Sequence, residues 1–154
     1  MNGQEFIDNH PALLVVLFSI FFVFMWCLVV AIISFISGWF ELSKRFRLVN
    51  RFEGASDGMQ SGQMRWHANY RNCLTLGANQ EGLYLATMFL VRFMHPPLLV
   101  PWSQIRVSRK QRWLLGVSVT LTLGRELAIP LRISGRSATL LRDAAREIWP
   151  IEET

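Results

Sequence analysis

Side chains able to do chemistry are few in this chain, and their spacing keeps them apart. His10, His67 and His95 have no second His, Cys or carboxylate three or four residues on, the spacing that would put two metal ligands on one helix face. Cys27 and Cys73 stand in different segments with no ligand spacing to each other or to a histidine. No metal site and no cofactor is therefore expected. Serines are numerous, but a hydrolase triad needs one of them held on a strained turn beside a histidine and a carboxylate, and no such arrangement is expected. Gly54, Gly58 and Gly62 recur every four residues in a polar stretch without a Gly-Lys-Ser/Thr element, so they read as a linker rather than as a phosphate loop or a helix-packing motif. The one chemical concentration is Arg109, Lys110, Arg112 and Trp113, basic groups beside a large aromatic around an expected turn. Such a set engages anionic headgroups or an acidic partner, at about 1 kcal/mol per charge near an anionic leaflet.

The element that governs the rest of the chain is apolar. The chain is 51% hydrophobic, and much of that lies in one block: between Asp8 and Glu41 there is no charged residue. A helix of about 20 residues crosses a bilayer core, so residues 12–39 are expected to be a single transmembrane helix. The segment is apolar all round, unlike a helix covering the core of a small domain. Glu5 and Asp8 precede it where a signal peptide would be basic, and the apolar run is too long for a signal. Lys44, Arg45, Arg47 and Arg51 follow it. The positive-inside bias then leaves residues 1–11 as a short extracytoplasmic tail and puts everything after the helix in the cytoplasm. Trp39, Lys44, Arg45 and Arg47 are expected at the headgroups. All 16 Lys and Arg lie beyond Glu41, whereas two of the 11 acidic residues precede it. The cytoplasmic part is thus strongly basic, at about +7.

Residues 40–63 read as a basic juxtamembrane segment and linker, and residues 64–150 as the folded domain. Short extended segments are expected at 64–70, 73–78, 82–93, 98–102, 105–111, 117–123 and 127–133, the spacing of a compact antiparallel β domain. VSVTLTL at 117–123 alternates strictly, and LAIPLRI at 127–133 repeats the alternation across a three-residue connection containing Gly124. Pro130 removes a ladder donor and places that strand at an edge or a bulge. Residues 88–94, MFLVRFM, are apolar on both faces apart from Arg92 and read as a buried strand, the alternative being a contact surface for a partner or the membrane. An amphipathic helix over 137–149 closes the chain, capped by Ser134 or Ser137, with Leu140, Leu141, Ala144, Ala145, Ile148 and Trp149 on one stripe.

Seven short strands followed by one amphipathic helix resemble the pleckstrin-homology-like fold. The run GLYLATMFLVRFMHPPLLVPWSQI at 82–105 resembles the middle strands of bacterial PH-like domains in membrane-anchored proteins of uncharacterised function. The resemblance covers residues 64–149 and none of the anchor. It implies a mainly β membrane-anchored module in a bacterial inner membrane, acting by binding. Phosphoinositide-binding members carry closely spaced basic residues on the first two strands, whereas Arg65 and Arg71 are the only ones here. The expected role is accordingly a non-catalytic protein-interaction scaffold or subunit of a membrane complex, with a sensor of anionic lipid as the alternative and an enzyme a distant third. Nucleic acid is not an expected partner, because no recognition helix is present.

Overall fold

The computed structural model describes residues 11–65, 68–112 and 116–153. Helix α1, Pro11–Ser37, is a continuous apolar rod, long and apolar enough to cross a membrane. Most of its large side chains are exposed, among them Phe18, Phe21 and Phe24. Gly38 then turns the chain with a left-handed φ of 81°, and α2, Trp39–Phe46, leaves in a new direction.

The expected linker is not one. Trp39 and Leu42, spaced three apart on α2, are both fully buried in the same core as the sheet, with Phe46 packed against it. Two ion pairs fix the outer face of α2: Glu41 with Arg65 at 2.8 Å, and Arg45 with Glu126. Beyond it the Leu48 N–H donates to Pro97 O at 2.8 Å, and Arg47 bridges Leu98. The glycine-rich segment read as linker is strand β1, Ala55–Met64. Its residues are largely exposed, so no apolar alternation advertises it; β2 supplies the pairing, with bulges flanking Gln60. Gly62 lets the core pack closely there, since a Cβ would stand 2.8 Å from Leu74 Cδ1 and push that side chain aside.

The remaining strands are β2 (Ala68–Ala78), β3 (Gly82–Thr87), β4 (Leu98–Pro101), β5 (Ile105–Arg112), β6 (Gly116–Leu123) and β7 (Ile129–Ser134). A two-residue strand β8, Glu152–Glu153, runs parallel to β5. Their order is β4-β3-β2-β1-β7-β6-β5-β8, so seven antiparallel strands form one nearly closed sheet joined through β1 and β7. Buried residues of the strands, from Leu74 on β2 to Ile133 on β7, fill its interior. Helix α3, Gly135–Ala145, closes the sheet through Ala138, Leu141 and Ala145. Ser134 is its cap, accepting from the Ser137 N–H at 3.1 Å. Leu140 and Ile148, placed on the buried stripe by periodicity, are exposed: the buried face of the helix runs through Ala138, Leu141 and Ala145 and leaves Leu140 at its outer margin, and Ile148 lies in the 3-10 turn that follows the helix end at Ala145.

Two further expectations are corrected. β7 is an interior strand, not an edge. Pro130 is tolerated because its carbonyl faces β1 and accepts from the Arg65 N–H, at the point where the β1 ladder has ended at Met64. The missing N–H therefore interrupts no ladder on that side. The connection from β6 to β7 is also longer than three residues, spanning Gly124 to Ala128 with the Ala128 N–H closing on Gly124 O at 2.8 Å.

Candidate functional site

The expected buried strand over Met88–Met94 is a 3-10 turn, Phe89–Met94, lying alongside α1. Continued pairing stops because Thr87 is the last β3 residue with a partner on β2, and the prolines at 96 and 97 turn the chain back into β4. Ser34, small and fully buried on α1, lets the turn approach closely.

A chain of buried polar contacts ties the turn, α1 and β2 together. Ser34 Oγ donates to Met94 O at 2.7 Å, and Trp39 Nε1 donates to Pro96 O at 2.9 Å. Tyr70 Oη lies 3.0 Å from Ser37 Oγ and 2.9 Å from His95 Nε2, while His95 Nδ1 lies 3.1 Å from Val91 O. A carbonyl only accepts, so Nδ1 carries the proton. In the neutral ring Nε2 is then an acceptor facing the Tyr70 hydroxyl, while Ser37 Oγ donates to Ser34 O at 3.2 Å. The Trp39 ring packs against both Tyr70 and His95. Burial lowers the His95 pKa below its ordinary 6.5, against the opposing effect of the Val91 hydrogen bond, and burial pushes the Tyr70 phenol well above its usual range.

Linkage gives this a measurable sign. A histidine whose folded pKa is depressed binds fewer protons in the folded state, so its contribution is complete above the unfolded value near 6.5 and falls as pH drops below it. The full-length chain in detergent should lose stability from pH 7 to pH 5, at no more than about 1.4 kcal/mol per pH unit from this group. His95→Gln should flatten that part of the melting-temperature profile. An unchanged slope in the variant would show that His95 is not its source.

Outside this polar chain lies an open groove of about 840 Å³ between α2, the 47–51 segment and the 3-10 turn. Arg47, Arg51 and Arg92 line it together with Phe40, Phe93 and Pro97, and no acidic residue is present in its wall. Arg45 and Arg65 have carboxylate partners, whereas among the described residues these three arginines have none. The hollow on the other side of the same segment, about 600 Å³, contains Glu53 and Glu81 and so lacks this uniform charge. Three cations over an apolar wall suit an anion joined to a hydrophobic body.

Of the residues singled out by type and spacing, Arg47 lies in this groove. Lys44 is exposed with Nζ 4.5 Å from the centre of the Phe40 ring, and Arg45 is engaged with Glu126. Trp39 cannot meet headgroups, being fully buried. Arg109, Lys110 and Arg112 lie on β5, paired with Val119, Ser118 and Gly116, and Trp113 falls outside the described residues. That end of the β5–β6 hairpin is opposite the one where Gly124 approaches Phe46 of α2. Eight paired residues separate the two ends, about 25 Å of strand. Arg92 is the member that spacing alone does not find, and its signal is a lone arginine inside an apolar run ending at Pro-Pro.

His10 and His67 fall outside the described residues; among those described, no three His, Cys, Asp or Glu side chains converge. Cys27 and Cys73 are both free. Residues 54–58 spell Gly-x-Ser-x-Gly, but Ser56 pairs with Gly77 within β1 and is not on the strand-to-helix turn that exposes a nucleophile. No protein-family model, curated protein or solved structure matches the chain.

Proposed function

We propose that the chain is a single-pass protein of a bacterial inner membrane, with its N-terminus outside and a PH-like domain at the cytoplasmic face acting as a non-catalytic binding module. The order of the seven strands and the closing helix support the PH-like reading. Of the two binding roles the sequence leaves open, the groove of Arg47, Arg51 and Arg92 favours recognition of an anionic lipid headgroup. Its position carries this reading: it opens where α1 gives way to the domain, the level at which the positive-inside reading puts the cytoplasmic headgroups. A scaffold role would draw acidic side chains of a protein partner to the same arginines.

The test has two arms. A reporter active only outside the cytoplasm, fused after Thr154, should be silent, which fixes the leaflet. The purified full-length chain, equilibrated with phosphatidylglycerol and phosphatidylcholine, should retain the anionic lipid preferentially in native mass spectrometry. Replacing Arg47, Arg51 and Arg92 with Gln removes about 3 kcal/mol of attraction, roughly a hundredfold in preference, and high salt should weaken it likewise. Gln at Arg109, Lys110 and Arg112 should leave the preference intact. Equal retention by the groove variant, or its loss in the hairpin variant, would sink the assignment to the groove and return the scaffold role to first place.

A further inference from the structure

The 3-10 turn beside α1 carries a cluster of large, exposed apolar side chains. Phe89 is 79%, Phe93 74% and Leu90 54% exposed, although the sheet interior is filled without them. A water-facing loop has no use for such residues, and their place relative to α1 says what covers them.

Two side chains of α1 set the register. Trp26 Nε1 donates to Leu90 O at 3.3 Å, and Ser34 Oγ donates to Met94 O. Trp26 and Ser34 are eight residues apart, about 12 Å along a helix. The turn therefore runs beside the C-terminal half of the apolar rod, and Leu90 lies level with Trp26, well inside the charge-free span. Whatever medium surrounds α1 at Trp26 also surrounds Phe89 and Leu90.

The backbone of the turn is fitted for a medium without water, where every unsatisfied polar group costs several kcal/mol. The Met88 N–H donates to Cys73 O, and Met88 O accepts from Val91. Leu90 O accepts from Trp26, Val91 O from His95 Nδ1, Arg92 O from the His95 N–H, and Met94 O from Ser34. Three of these donors are side chains held on other parts of the fold or at the end of the turn. A loop in water would find solvent for the same carbonyls. Arg92, the only charge in the segment, is exposed and lines the arginine groove, so its long stem can carry the guanidinium back to headgroup level.

We infer that Met88–Met94 is a second membrane element, a monotopic turn buried in the cytoplasmic leaflet against α1, with Phe89, Leu90 and Phe93 facing acyl chains. The inference rests on the reading that α1 spans the membrane. It makes the domain a docked body held by two neighbouring insertions, rather than a ball on a tether.

The test uses the full-length chain with Cys27 and Cys73 replaced by Ala, reconstituted in phosphatidylcholine and phosphatidylglycerol vesicles. Single cysteines replacing Val16, Gln80, Phe89 or Phe93 carry an environment-sensitive nitrobenzoxadiazole label. Lipids with nitroxide on the acyl chain should quench labels at Phe89 and Phe93 as they do at Val16, and leave Gln80 bright. Quenching at Val16 with none at Phe89 and Phe93 would overturn the inference while leaving the spanning helix in place. Loss of quenching at Val16 as well would overturn both. Both phenylalanines are mostly exposed, so the labels do not disturb packing; circular dichroism of each labelled chain checks this directly.

Discussion

A chain that begins at Gly58 should fail to form the β domain, although a reading of the sequence alone makes that position the natural place to cut. The truncation removes Trp39 and Leu42, both fully buried in the sheet's own core. Losing a buried Trp costs about 3–5 kcal/mol and a buried Leu about 2–5 even when only the side chain goes. Together they match the whole stability of a typical domain, about 5–15 kcal/mol. The cut also strips Ala55, Ser56 and Asp57 from their partners Ala78, Gly77 and Leu76, and leaves Tyr70 without Ser37. A chain that begins at Ser37, held in mild detergent because the 3-10 turn is then uncovered, keeps all of these and should melt cooperatively. Near-ultraviolet circular dichroism and a thermal scan distinguish the two. A Gly58 chain with native near-ultraviolet signal and a cooperative transition would show that α2 is an appendage.

The reason this boundary misleads is physical. β1 is exposed over most of its length and is built from Gly, Ser, Gln and Asp, so the alternation that marks a half-buried strand is absent; what makes it a strand is the pairing offered by β2 and β7. Local sequence carries no record of a neighbour's free edge. α2 is legible in principle, since Trp39, Leu42 and Phe46 fall on one helical face, but the charges of Lys44, Arg45 and Arg47 point to headgroups instead. β6 and β7 are readable because each alternates over a buried face, Val119 and Leu121 against Leu131 and Ile133. Residues 88–94 show the converse problem. An apolar run reads the same whether its side chains enter a protein core or stay on the surface, and only the register against α1 separates the two. The groove shares this limit, since Arg47, Arg51 and Arg92 are up to 45 positions apart in sequence and are assembled by the packing of the turn on the helix.

That packing depends on one joint, and Gly38→Val should break it. Gly38 ends α1 by donating its N–H to Phe35 O at 3.2 Å, and begins α2 by accepting from the Leu42 N–H at 3.1 Å. At φ 81° it occupies the left-handed region, which costs an L-residue about 1–2 kcal/mol and a β-branched one more. A Cβ there would also stand 2.7 Å from Ile129 Cδ1 and 3.3 Å from Arg65 Cζ, so it would displace a fully buried side chain and the partner of Glu41. Overpacking of this kind adds about 1–3 kcal/mol. The sum, about 2–5 kcal/mol, should lower the melting temperature of the full-length chain in detergent by about 10 °C or more, at roughly 4–8 °C per kcal/mol for a domain of this size. The two contributions separate with a smaller substitution. Gly38→Ala keeps the backbone strain and the clash, and Ile129→Val removes the atom that Cβ would meet, so the double variant should be more stable than the two single losses added together. Strict additivity would mean that only backbone strain acts at the joint, and an unchanged melting temperature for Gly38→Val would mean that α1 and the domain are not fixed to each other there.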